Sequence, residues 1–234
     1  MPHYLKAFPL LTILSCLFWQ NPIYAGACQN GANASGCSIG TDDTSYNLTG
    51  NIDVTGGTKS DSWNNSTDDT AGIEFTTGSD SNDMSLTGDI STTGYRSFGL
   101  SLESSDSNTV SLTSDITTYV NPNIIMQGSD AINLESSDSN TINMTGNIST
   151  TGIGAEGIYL DESDSNTINM TGDISTLALS QSIGIYLEQS EFNTTNLTGD
   201  ISTTGNAAGN GSHSYGLYIG RKPGISTGGG NNTT

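Results

Sequence analysis

One phrase returns along most of this chain: a Gly or Ala, an alternating apolar run, an acidic Ser-rich turn ending in Asn, a second alternating run, then Gly-Asp or Gly-Asn leading into Ile-Ser-Thr. Aligned on Gly72, Gly99, Ala131, Gly157, Gly184 and Gly216, successive copies lie 27, 32, 26, 27 and 32 residues apart. A near-constant period of this length makes each copy one structural unit that can bury its apolar face only against its neighbours. The chain therefore reads as a solenoid.

The unit that starts at Gly157 shows what such a turn is made of. Ile158-Tyr159-Leu160 alternates, Asp161 to Asn166 is polar, Ile168-Asn169-Met170 alternates again, and Gly172-Asp173 turns into Ile174-Ser175-Thr176. Apolar-polar alternation is the two-residue period of a half-buried strand, and the 3.6-residue period of a helix is missing. Three short strands per unit, each lying on its counterpart one unit later, predict an all-β parallel β-helix of about six rungs of 26–32 residues. Equivalent positions should then form columns. The first strand offers Ile73, Leu100, Ile132, Ile158, Ile185 and Leu217; the second offers Met84, Val110, Ile142, Ile168 and Thr195. From the third comes an unbroken core column of Ile90, Ile116, Ile148, Ile174 and Ile201, and a partial unit at Tyr46–Ile52 fits the same slots. Proline respects the pattern: Pro122 and Pro223 fall outside the strands, where no ladder donor is lost.

Polar columns run beside the apolar ones. Asn82, Asn108, Asn140, Asn166 and Asn193 end the first turn of successive units, and we read them as a structural ladder of stacked amides that also tolerates left-handed backbone. Asp80, Asp106, Asp138, Asp164 and Glu191 share a second slot, while Asp89, Asp115, Asn147, Asp173 and Asp200 share a third. Like charges stacked at the spacing of strands repel, so these side chains are expected to splay into solvent. The competing expectation is a cation-sharing ladder, which makes Asp80, Asp106, Asp138, Asp164 and Glu191 candidate Ca²⁺ ligands, although the Gly-Gly-x-Gly-x-Asp pattern of Ca²⁺-binding β-rolls is absent.

The N-terminus is a separate object. Lys6, the apolar run Ala7–Trp19 and the small residues Ala25-Gly26-Ala27 read as a secretory leader over residues 1–27, in preference to a lipidation signal at Cys16 or Cys28. The apolar run is shorter than a membrane-spanning helix requires, and no other segment approaches that length. Residues 28–43 form an expected cap or loop, 44–222 the repeats, and 223–234 a disordered tail of Gly, Asn and Thr. Cys28 and Cys37 remain after export, an even pair that suggests a disulfide near the cap, with two free thiols as the alternative.

Charge and residue inventory narrow the function. The chain holds 24 acidic and 5 basic residues, a net charge of −19, so it repels nucleic acid and anionic membrane. Lyase chemistry on uronates needs cations, and only Arg96 lies between Lys59 and Arg221. Paired carboxylates such as Asp161, Glu162 and Asp164 would suit glycoside hydrolysis, but similar acidic turns recur in every unit, whereas an active site should break the repeat. His213 sits in a Gly-Asn-Ser context with no catalytic partner nearby. These observations predict no enzyme activity and no cofactor apart from the Ca²⁺ alternative.

The phrases at 137–150 and 163–176, with Gly-Ile-Tyr-Leu at 157–160 and 184–187, resemble the passenger repeats of bacterial autotransporters over about residues 44–220. The resemblance implies a single-stranded right-handed β-helix that is secreted or displayed at the outer membrane. Its function would be non-catalytic: presenting variable loops for adhesion to a host or neighbouring cell-surface protein or glycan. Autotransporters carry a C-terminal β-barrel, and no barrel pattern occurs between the repeats and Thr234. The alternative is a fragment of a carbohydrate-active β-helix enzyme, a polysaccharide hydrolase or lyase. Exposed strand edges at the ends of the stack further suggest end-to-end self-association.

Overall fold

The computed structural model describes residues 31–32, 37–40, 42–55, 70–120, 129–178, 182–205 and 214–220. Among them every regular element is a β-strand. After the short β1 (Gly31–Ala32), the first rung comprises β2 (Cys37–Ile39), β3 (Ser45–Thr49) and β4 (Ile52–Thr55), and the second β5 (Thr70–Phe75), β6 (Asp83–Thr87) and β7 (Ile90–Thr93). The third is β8 (Ser97–Glu103), β9 (Thr109–Thr113) and β10 (Ile116–Tyr119), and the fourth β11 (Ile132–Glu135), β12 (Thr141–Thr145) and β13 (Ile148–Thr151). The fifth is β14 (Ile158–Asp161), β15 (Thr167–Thr171) and β16 (Ile174–Ala178), and the sixth β17 (Ser182–Glu188), β18 (Thr194–Thr198) and β19 (Ile201–Gly205). A seventh rung begins with β20 (Ser214–Gly220).

Each strand pairs in parallel with its counterparts one rung away, giving a first-strand sheet of seven strands, a second-strand sheet of six and a third-strand sheet of seven. This is a parallel β-helix. Its register matches the repeat residue for residue: Ile90, Ile116, Ile148, Ile174 and Ile201 stack in one column, and Ile52 extends it downward. Ile73 to Leu217 and Met84 to Thr195 stack likewise. These columns fill the interior, with Ile73, Met84, Leu100, Ile116, Ile142 and Ile158 fully buried. The glycine that opens the unit is part of this packing. At Gly72, Gly99, Gly157 and Gly184 a Cβ would collide with Cγ2 of Ile90, Ile116, Ile174 and Ile201 respectively, so the small residue makes room for the large one across the coil.

One corner of the coil is closed by hydroxyls. Thr92 Oγ1 donates to the Ser97 carbonyl at 2.6 Å, Thr118 Oγ1 to that of Ser129 at 2.6 Å, Thr150 Oγ1 to that of Ala155 at 3.3 Å, and Thr176 Oγ1 meets Ser182 Oγ at 2.6 Å. All four threonines are buried. The residues so joined are 5, 11, 5 and 6 positions apart, which means that the same clasp closes short and long connections alike.

Candidate functional site

The recurring Ser-Asp-Ser-Asn turn distributes its side chains among different tasks. The first serine is buried and points back: the Ser105, Ser137 and Ser163 amides donate to Oγ of Ser137, Ser163 and Ser190 in the next rung at 3.0–3.1 Å. The aspartate points forward. Oδ1 of Asp80, Asp106, Asp138 and Asp164 accepts the amide of Asp106, Asp138, Asp164 and Glu191 respectively, at 2.6–2.7 Å. The asparagine again points back, because Oδ1 of Asn108, Asn140, Asn166 and Asn193 accepts the amide of the preceding ladder asparagine at 2.7–2.9 Å. In three of them Nδ2 then donates to a serine carbonyl of the preceding turn, Asn140 to Ser105, Asn166 to Ser137 and Asn193 to Ser163 at 2.8–2.9 Å, whereas the buried Asn108 Nδ2 has no partner.

Two details differ from expectation. Left-handed backbone falls on the residue before the asparagine, at Ser81, Ser107, Ser139, Ser165 and Phe192 with φ of 58–60°, and none of the ladder asparagines has a positive φ. The acidic column does not splay either. Each of its four aspartates accepts a backbone N–H of the next rung, a charge-assisted bond that offsets the repulsion within the column. The third polar column works the same way, with Oδ1 of Asn51, Asp89, Asp115, Asn147 and Asp173 accepting the next amide at 2.6–3.1 Å. Among the described residues no three His, Cys, Asp or Glu side chains converge as metal ligands would. Cys28, His213, the leader and the tail lie outside the described residues, and the suggested Cys28–Cys37 disulfide with them.

A groove of about 410 Å³ opens on the outer face of the first-strand sheet. Its floor is a pair of carboxyl groups, Asp130 and Glu156, 5% and 8% exposed. Oδ1 of Asp130 accepts the Glu156 amide at 2.8 Å, and the two side chains are hydrogen-bonded to each other. Burial raises Asp130 to about 6 against the opposing pull of Glu156 and Arg96, and burial together with the Asp130 charge raises Glu156 well above its ordinary value. Both shifts favour the protonated forms, so the pair is disposed to hold a proton between its carboxyl groups.

One wall is aromatic. Tyr159 and Tyr186 stack at 5.2 Å between ring centroids, and Tyr186 meets Tyr218 edge-on at 5.1 Å. The Tyr159 hydroxyl donates to Oε2 of Glu188 at 3.0 Å, and burial plus the Asp161 and Glu188 charges push its ionisation up. Arg96 and Phe98 close the opposite side, with the guanidinium 5.9 Å from the Phe98 ring centre. Of the three acids that sequence alone offered for hydrolysis, only Asp161 lines this groove. Asp164 is committed to the Glu191 amide and Glu162 receives Gln189 Nε2 at 3.3 Å.

The Asp130–Glu156 pair escaped the sequence reading, yet its signal was present. The position immediately before the opening Gly or Ala holds Ala71, Phe98, Asp130, Glu156, Ile183 and Tyr215 in successive units. Ladder bonds place these residues in one stacked slot, apolar everywhere except in the two rungs under the groove. Comparison with protein-family models, with curated proteins and with solved structures finds no match to the chain.

Proposed function

We propose that the protein is an exported, non-catalytic β-helix module that presents variable segments at one corner of a rigid stem to a surface partner, a host or neighbouring-cell protein or glycan. The observation that carries this reading is the threonine clasp, which closes connections of different length with one hydrogen bond and so lets segments lengthen without disturbing the stack. The turn staples support it further, since the acidic columns are spent on rung-to-rung bonds. No helix among the described residues is long and apolar enough to cross a membrane.

The test is cell fractionation with antibodies raised to residues 121–128. Labelling of intact cells or of the medium is expected, and confinement to the cytoplasmic fraction would overturn the reading. A second reading, a carbohydrate-active enzyme, is favoured by one observation: the Asp130–Glu156 pair breaks the repeat. A glycan panel scored for both retention and cleavage separates the two. Cleavage that disappears in Glu156→Gln would establish the enzyme.

A further inference from the structure

Two successive rungs place acids in a slot that the other rungs fill with Ala71, Phe98, Ile183 and Tyr215. The fold does not require this, since apolar side chains close the same position above and below. Burying a carboxyl pair is costly by comparison, because each charge gives up its hydration. The excess is concentrated where the surface is concave. Asp130, Glu135, Glu156, Asp161 and Glu188 line one groove with Arg96 as its only cation, so even with one proton shared on the floor the groove keeps a surplus of negative charge.

The chemistry of an occupant follows from the lining. An anion is repelled, and a neutral ligand leaves the surplus unbalanced. A metal ion finds no convergent set of three ligands among the described residues. A primary ammonium group fits on three counts: it donates up to three hydrogen bonds to carboxylates, it is attracted to tyrosine rings such as Tyr159 and Tyr186, and its charge substitutes for the shared proton. A volume of about 410 Å³ lies within the range of small-ligand sites. The geometry points to a binding site for an amine-bearing ligand, with its ammonium group seated between Asp130 and Glu156 and its body lying along Tyr159 and Tyr186. The ammonium comes either from an unacetylated amino sugar of a glycan or from a free polyamine. On binding, the proton held between the two carboxyl groups is released to solvent, and the ammonium brings its own charge in exchange. This deepens the presentation reading by naming what the stem meets, but it is measured on purified protein and stands or falls apart from cellular location.

Isothermal titration of the full chain with glucosamine trimer, N-acetylglucosamine trimer and spermidine, at low salt in buffers of different ionisation enthalpy, tests it. At least one amine is expected to bind with proton release, and the acetylated trimer to bind about tenfold more weakly or not at all. Binding of the sugar amine alone identifies a glycan, spermidine alone a polyamine, and both a site for the ammonium group itself. Glu156→Gln should weaken binding about tenfold or more, whereas Asp106→Asn, in the acidic column away from the groove, should not. The double variant Asp130→Phe, Glu156→Ile restores the apolar slot and so should remain folded while losing the ligand. The proposal is overturned if no amine binds, if the acetylated trimer binds equally well, if the double variant retains affinity, or if Asp106→Asn weakens binding as much as Glu156→Gln.

Discussion

Thr195 is the residue at which an aliphatic column turns polar: it stacks on Ile168, is 3% exposed, and its Oγ1 has no hydrogen-bond partner. Replacing that hydroxyl with a methyl group removes an unmet desolvation penalty at nearly constant volume. Thr195→Val should therefore stabilise the protein by roughly 1 kcal/mol or more in urea denaturation. The buried acids make the opposite kind of contribution, one that depends on pH. Asp130 is raised from 3.8 to about 6 and Glu156 is raised well above 4.5, so both fold preferentially in the protonated form. For values raised on folding, the stabilisation is complete below the unfolded values, near 4, and is lost as pH rises through about 6 and beyond. The melting temperature should fall over that interval. Glu156→Gln keeps a donor for Asp130 but cannot ionise, so the difference in melting temperature between variant and parent should widen in the variant's favour as pH rises. A constant difference would show that the pair does not titrate in the folded state.

Between strands, the turns hold the rungs in register through side chains aimed in opposite directions. Asn140 alone satisfies two buried backbone groups of the rung below, the Asn108 amide and the Ser105 carbonyl. Asn140→Ala strips both and should cost about 2–4 kcal/mol, while Asn140→Asp keeps the acceptor but at neutral pH buries a carboxylate against the Ser105 carbonyl and should cost at least as much. A loss below about 1 kcal/mol for Asn140→Ala, measured by urea denaturation at neutral pH, would show that the amide ladder contributes little. The sequence revealed these elements unevenly. Strand positions and apolar columns were legible because a two-residue period and a strict repeat both point inward, and every column from Ile73 to Ile201 stacks as aligned. The asparagine column was legible as a recurrence, but not its partners, since a side chain bonded to backbone one rung away leaves no complementary residue type to find. The buried serines Ser105, Ser137 and Ser163 were hidden for the same reason among many serines of identical appearance. The Asp130–Glu156 pair was overlooked because the turns carry louder acidity. It is visible only as two exceptions in a slot that is otherwise apolar.

Stacking makes the whole molecule close to one-dimensional. Each rung touches only the rung above and the rung below, so stability is a sum of rung and interface contributions. Burial follows the described stack: Leu217 and Ile219 in β20, the last described strand, are 37% and 47% exposed, where Ile185 and Leu187, with described strands on both sides, are 3% and 1% exposed. An interior rung should accordingly be removable without altering the architecture, provided that register survives. Deleting residues 141–166 joins Asn140 directly to Thr167, the residue that already succeeds its ladder counterpart Asn166 exactly one repeat of 26 residues later. Thr167 then takes the slot of Thr141, and β15 and β16 continue the coil from β11. The shortened chain should keep its β-sheet circular dichroism and cooperative melting, at a temperature lowered by the loss of one interface. Removing one residue fewer has a different result in store, because a single-residue slip turns Ile168 and Met170 outward and Asn169 into the core. That chain should aggregate or melt without cooperativity. If the two deletions behave alike, the columns do not govern folding, and stability resides in the turns.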